Sequence, residues 1–264
     1  MQITSIRNKE QVQWCGRRVY LIILVIMPLM IVVGFSRVLQ AQVASFAPLK
    51  KGSAAVSVRE LMIPAKARNE FQRGMKKLGK RDEKGSLRHF DAATQLYPEY
   101  YEAHYYEGVA QLNMGKDDQA LEAFQTAIAL SGGHYARAQF GYGLVLCHRG
   151  KPEQAERVVR FGLETDPNIS EGHLILGLAL LKLNRVDEAA KSAREALQLN
   201  DRSSTKALLI LADAEAAKGN YGAQIRYLDT YMRLRPHDPN KALLQSVREA
   251  AKRLEVNSRS VSKR

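Results

Sequence analysis

The strongest constraint in this chain is a period of 34 to 35 residues. Segments that begin at Ala67, Tyr101, Ala136, Ser170 and Thr205 align so that several positions recur together. Position 8 is Gly74, Gly108, Gly143, Gly177 and Ala212, and position 20 is Ser86, Ala120, Ala155, Ala189 and Gln224. Position 24 is Phe90, Phe124, Val159, Ala193 and Leu228, and position 27 is Ala93, Ala127, Gly162, Ala196 and Tyr231. Position 32 is Pro98, Gly132, Pro167, Asp201 and Pro236. A repeat of this length is a single supersecondary unit that cannot bury its apolar face alone, so copies must stack.

The pattern resembles the tetratricopeptide repeat, over residues 67–236. That signature has small residues at 8, 20 and 27, a bulky residue near 24 and a proline near 32. Small residues let two antiparallel helices approach, the bulky side chain fills the gap between a repeat and its neighbour, and the proline ends the second helix. The resemblance implies an all-α solenoid of five helix-turn-helix repeats: 67–100, 101–135, 136–169, 170–204 and 205–238. Position 4 departs from the family pattern: it is Glu70, His104, Gln139, His173 and Leu208, and the bulky residue sits at position 5 instead. The end repeats fit least well, as expected where one side has no neighbour. Residues 237–255 carry Leu243, Leu244, Val247, Ala251 and Leu254 at helical spacing and read as a capping helix. Residues 256–264 read as a disordered tail.

In tetratricopeptide folds the first helix of each repeat lines a concave face, to which positions 2, 5, 9, 12 and 13 point. Carried over, this implies a partner-binding groove of Tyr105, Val109, Leu112 and Asn113 from the second repeat and Arg137, Phe140, Leu144 and His148 from the third. Leu174, Leu178 and Lys182 come from the fourth, and Lys206, Leu209 and Asp213 from the fifth. The family's carboxylate clamp of Lys, Asn and Arg is missing, because Tyr105, Phe140 and Leu174 hold those places. The expected partner is a protein or peptide whose extended or helical segment carries apolar anchors. Three anchors, each gaining about 1.5–3 kcal/mol on burial, are compatible with micromolar affinity after ordering costs.

Nothing in the sequence points to catalysis, a metal or a cofactor. His104 and His173 share a position but have no third ligand, and read as interhelix residues. Cys147 and His148 are adjacent on a helix and do not face each other. Glu153 and Glu156 read as a solvated first helical turn. The two cysteines exclude a disulfide scaffold.

The chain carries 40 Lys and Arg against 27 Asp and Glu, a net charge of +13. A basic domain face would suggest nucleic acid, yet residues 91–247 hold 17 basic and 20 acidic side chains. The positive excess lies toward the ends, so no nucleic-acid partner is expected. Residues 1–18 are a basic flank to the uncharged run 19–36, which contains VYLIILVIMPLMIVVG. That run reads as a transmembrane signal-anchor, with a signal peptide cut near Ala41, Ala44 or Ser45 as the alternative. The flanking charges place the repeats on the extracytoplasmic, periplasmic side in a bacterial-type cell. A cytoplasmic-facing adaptor and an enzyme with a groove active site are the rival readings. Residues 37–64 read as a linker, with Pro64 opening the first helix. Lys76, Lys77, Lys80 and Arg81 follow closely and are candidates for contact with anionic lipid.

Overall fold

The structure is a computed structural model that describes residues 62–199 and 204–261. The chain divides into units 1–52 and 53–264, and every described residue belongs to the second. The expected span at 19–36, its flank, the linker up to residue 61 and residues 262–264 lie outside the described residues. No described helix is long and apolar enough to cross a membrane.

Eleven α-helices and no strand occur among the described residues: α1 (Ala65–Leu78), α2 (Glu83–Leu96), α3 (Tyr101–Asn113), α4 (Asp117–Leu130), α5 (Ala136–His148), α6 (Pro152–Thr165), α7 (Ser170–Lys182), α8 (Val186–Gln198), α9 (Ala207–Ala217), α10 (Tyr221–Leu234) and α11 (Lys241–Val261). A short 3-10 turn at Ser204–Lys206 precedes α9. Each sequence repeat yields one helix pair. Pro64 stands just before the first helical residue of α1, and Pro152 opens α6.

The turn inside every repeat is built the same way. Its position 15 has positive φ in all five copies: Arg81 (59°), Gly115 (72°), Gly150 (69°), Asn184 (58°) and Gly219 (77°). The backbone there turns left-handed, which glycine adopts freely and a Cβ opposes. Position 8 is small because position 24 of the same repeat fills its space. A Cβ on Gly74 would stand 2.6 Å from the Phe90 ring, and one on Gly108 would stand 2.8 Å from Phe124. Phe124 also reaches the next repeat, where a Cβ on Gly141 would be 2.6 Å away. The bulky residue therefore serves its own repeat first and the neighbour second. In the fourth repeat position 24 is only Ala193, and Ile210 of the fifth repeat lies against Gly177 instead.

The polar residue at position 4 is explained by the turn between repeats. The Nε2 of His104 lies 3.1 Å from the carbonyl oxygen of Pro98, and that of His173 lies 2.9 Å from the oxygen of Pro167. Gln139 donates to the Gly133 oxygen at 3.0 Å. Each side chain reaches back to the preceding turn and meets a turn carbonyl that would otherwise need another partner. Ion pairs add to these links. Arg149 meets Asp118 at 2.8 Å and Lys218 meets Asp187 at 2.6 Å, both joining position 14 of one repeat to position 18 of the previous one. At the third junction Arg185 joins Glu156 at 2.6 Å and Glu188 at 2.6 Å. Glu156 is therefore a half-buried bridging residue rather than a solvated first-turn carboxylate.

The first helices pack on one another, α3 on α5 and α5 on α7, as well as α7 on α9. The second helices have no comparable mutual packing. Closer approach on one side bends the stack toward that side, so the first helices form the inner layer. On the outer side α6 and α8 are splayed over α7, leaving an open cleft of about 520 Å³ floored by Leu176 and Leu180. α11 covers α10 at the C-terminal end, with Ala251 buried. It runs to Val261, past the expected boundary at residue 255, because no glycine or proline interrupts the chain after Pro239.

Candidate functional site

The predicted groove residues lie on the inner first helices, but they differ in what they offer. Val109, Leu112, Leu144, Leu174 and Leu178 are half-buried, as are Leu181 and Leu209. They form an apolar strip that crosses α3, α5, α7 and α9. Asn113, His148, Lys182 and Lys206 are exposed beside it. Arg137 is exposed and faces Glu171 of the next repeat at 3.9 Å.

Two predicted anchors are packing residues. Phe140 is fully buried and has no surface for a partner. A Cβ on Gly162 of its own repeat or on Gly172 of the next would lie 2.6 Å from its ring. With only Val159 at position 24 of this repeat, Phe140 turns inward and fills the gap. Tyr105 is 5% exposed and packs on Phe124 and Tyr135, with ring centroids at 5.7 and 5.3 Å. Burial pushes its phenol well above the ordinary value.

Aromatic residues that the periodic mapping missed extend the surface toward the N-terminal repeats. Tyr106, Tyr135 and Tyr101 are half-buried and join Tyr105 in a continuous cluster. Phe71 links this cluster to Tyr100 and Tyr106. Burial raises the Tyr135 phenol as well. The signal for this region was compositional: residues 97–106 contain five of the 11 tyrosines. Aromatic residues thus cluster in repeats one and two, and the aliphatic strip runs from repeat two to repeat five.

Position 9 is Val109, Leu144 and Leu178 in three successive repeats and Asp213 in the fifth. Asp213 is exposed, yet the surrounding protein partly desolvates its carboxyl and raises it from its ordinary value. Cys147, at position 12, is fully buried, and its thiol is pushed up to about 11 by desolvation. It is not a reactive group. Among the described residues no three His, Cys, Asp or Glu side chains come together as metal ligands. His104 and His173 are held at their inter-repeat turns.

Residues 143–204 and 174–239 match one tetratricopeptide-repeat family profile, and residues 101–134 match a second. The matched residues are tetratricopeptide repeats. A thermophilic tetratricopeptide-repeat protein from Thermus thermophilus is 22% identical, with a TM-score of 0.60 over 70% of this chain and 98% of that one. PilW, a type IV pilus biogenesis factor, gives a TM-score of 0.60 at 18% identity over 75% of this chain and 94% of that one. Among curated proteins, DnaJ homolog subfamily C member 3 of Gallus gallus is 26% identical over 193 residues, 73% of this chain. The chain spans 37% of the length of that relative. These likenesses show the tetratricopeptide fold, and the repeats make the chain a protein-interaction scaffold of that type.

Proposed function

We propose that the protein is a non-catalytic, membrane-tethered scaffold whose inner surface holds an apolar segment of a partner protein. The observation that carries this reading is the set of half-buried side chains Val109, Leu112, Leu144, Leu174 and Leu178 on the first helices of three successive repeats. Each of these side chains keeps part of its apolar surface in water, and covering that surface is favourable. Apolar positions repeated on successive first helices suit an extended or helical segment.

The tether rests on the uncharged run at 19–36 and its basic flank, which favour an extracytoplasmic array. Lys76, Lys80 and Arg81 are exposed near the first repeat and suit attraction to anionic lipid, whereas Lys77 is engaged by Asp82 at 2.8 Å. The deciding experiment is site-specific photocrosslinking in cells from position 113 or 148, exposed beside the strip, followed by identification of what is bound. The double variant Leu144→Glu, Leu178→Glu should lose the crosslinked partner while keeping its helical circular dichroism. Unchanged capture by that folded variant would overturn the groove. A reporter fused after Arg264 tests the side of the membrane: activity of a cytoplasm-restricted reporter would overturn the extracytoplasmic placement.

A further inference from the structure

The apolar strip ends on a carboxylate that no protein group answers. Asp213 takes, in the fifth repeat, the register position held by Val109, Leu144 and Leu178 in the second, third and fourth. It stands one helical turn after Leu209 on α9, and Leu174, Leu178 and Leu181 are half-buried on α7, which packs against α9. Several other charged groups near this surface are paired. Arg137 and Glu171 face each other at 3.9 Å. Lys182 and Lys206 are exposed at the edge of the surface, and neither forms an ion pair with Asp213. Lys218 is bound to Asp187 and Glu215 to Asn220. Among the described residues Asp213 has no hydrogen bond and no ion pair.

An unanswered carboxylate in an otherwise aliphatic strip is costly for an apolar ligand and favourable for a cationic one. We propose that Asp213 is the specificity residue of the groove, selecting a partner segment that carries a Lys or Arg side chain beyond its apolar anchors. This rests on the groove reading given above and names the partner chemistry that reading leaves open. The desolvated state of Asp213 supports it, since a cation placed there would compensate the carboxylate that the surrounding protein disfavours. Geometry fixes the spacing. Adjacent packed helices are about 8–10 Å apart. An extended segment advances about 3.3 Å per residue, so its basic residue falls about three places from the anchor over Leu178. A helical segment advances about 1.5 Å per residue and needs about six.

The test is panning of a random displayed-peptide library against the full chain, followed by affinity measurement on the synthesised winners. The expected winners carry apolar anchors and a Lys or Arg at one of those two spacings. Asp213→Asn, which keeps shape and removes charge, should weaken them about tenfold. The same peptides with norleucine in place of the basic residue should bind wild type and Asp213→Asn alike. Leu178→Glu should abolish binding of every winner. Winners that depend on Leu178 but lack a basic residue, or bind Asp213→Asn as well as wild type, would overturn the role of Asp213 and leave the groove standing. Winners indifferent to Leu178→Glu would overturn the groove and the proposal with it.

Discussion

The left-handed residue at position 15 isolates a single physical requirement. Nothing lies within 4 Å of a Cβ built at Gly115, Gly150 or Gly219, so glycine is needed there for backbone freedom and not for space. Gly150→Ala should therefore cost about 1 kcal/mol through φ alone. Arg81 pays the same conformational cost in the native protein, and Arg81→Gly should stabilise by about 0.5 kcal/mol after the greater freedom of the unfolded chain is counted. Asn184→Gly should be closer to neutral, because asparagine tolerates the left-handed region. Urea unfolding midpoints check this order, and a destabilised Arg81→Gly would refute it. The periodic reading of the sequence passed over position 15, although three of its five residues are glycine. Nothing about Arg81 announces positive φ. Phe140 was misplaced for a related reason: the register assigns it to the groove, and only its juxtaposition with Gly162 and Gly172 across two helices turns it inward.

Between elements, the array is set by small residues facing large ones and by side chains that clip the turns. Gly74→Ala would push a methyl group into the fully buried Phe90 ring. The expected loss is about 1–3 kcal/mol, partly restored in the double variant Gly74→Ala, Phe90→Leu. A double-mutant cycle that shows no coupling would sink this account. His104 adds a pH dependence. Burial alone would lower its imidazole, but the Glu107 carboxylate and the Pro98 carbonyl outweigh burial and raise it above the ordinary value of 6.5. The charged form therefore favours the folded array. Its contribution is complete below the unfolded value and is lost as pH rises through the higher folded value. His104→Gln keeps a donor for Pro98, as Gln139 does in the third repeat, without a titrating group. Wild type should lose stability relative to this variant as pH rises through neutrality, and parallel pH profiles would refute the role. The helix pairs and their junctions followed from the period in the sequence. The polar position 4 was visible only as a departure, because its partner is a backbone carbonyl and leaves no trace in residue type.

At the scale of the whole array, contacts run only between neighbours, so stability should be distributed along it. The largest buried cluster spans α5 to α9 and includes Phe140, Val159, Leu180 and Leu211. The N-terminal cluster around Ile63, Ala67 and Ala93 is smaller, and among the described residues α11 packs chiefly on α10. In a nearest-neighbour stack the end units open first and the centre opens last. Amide hydrogen exchange should accordingly be slowest in α5–α8 and fastest in α1, α2 and α11. Truncation after Pro236 removes α11 and uncovers α10, where Leu228 and Tyr231 are the buried apolar residues. It also removes Asp238, which accepts a hydrogen bond from Tyr231 at 2.6 Å. Exchange in α9 and α10 should then accelerate while α5 and α6 keep their protection. Uniform acceleration throughout would mean that the array unfolds as one cooperative block and that α11 supports all of it. The groove gives this gradient a functional consequence. Its aliphatic end, with Leu178, Leu209 and Asp213, lies on the repeats that α11 steadies, so the truncated chain should bind its partner more weakly although every groove residue is still present.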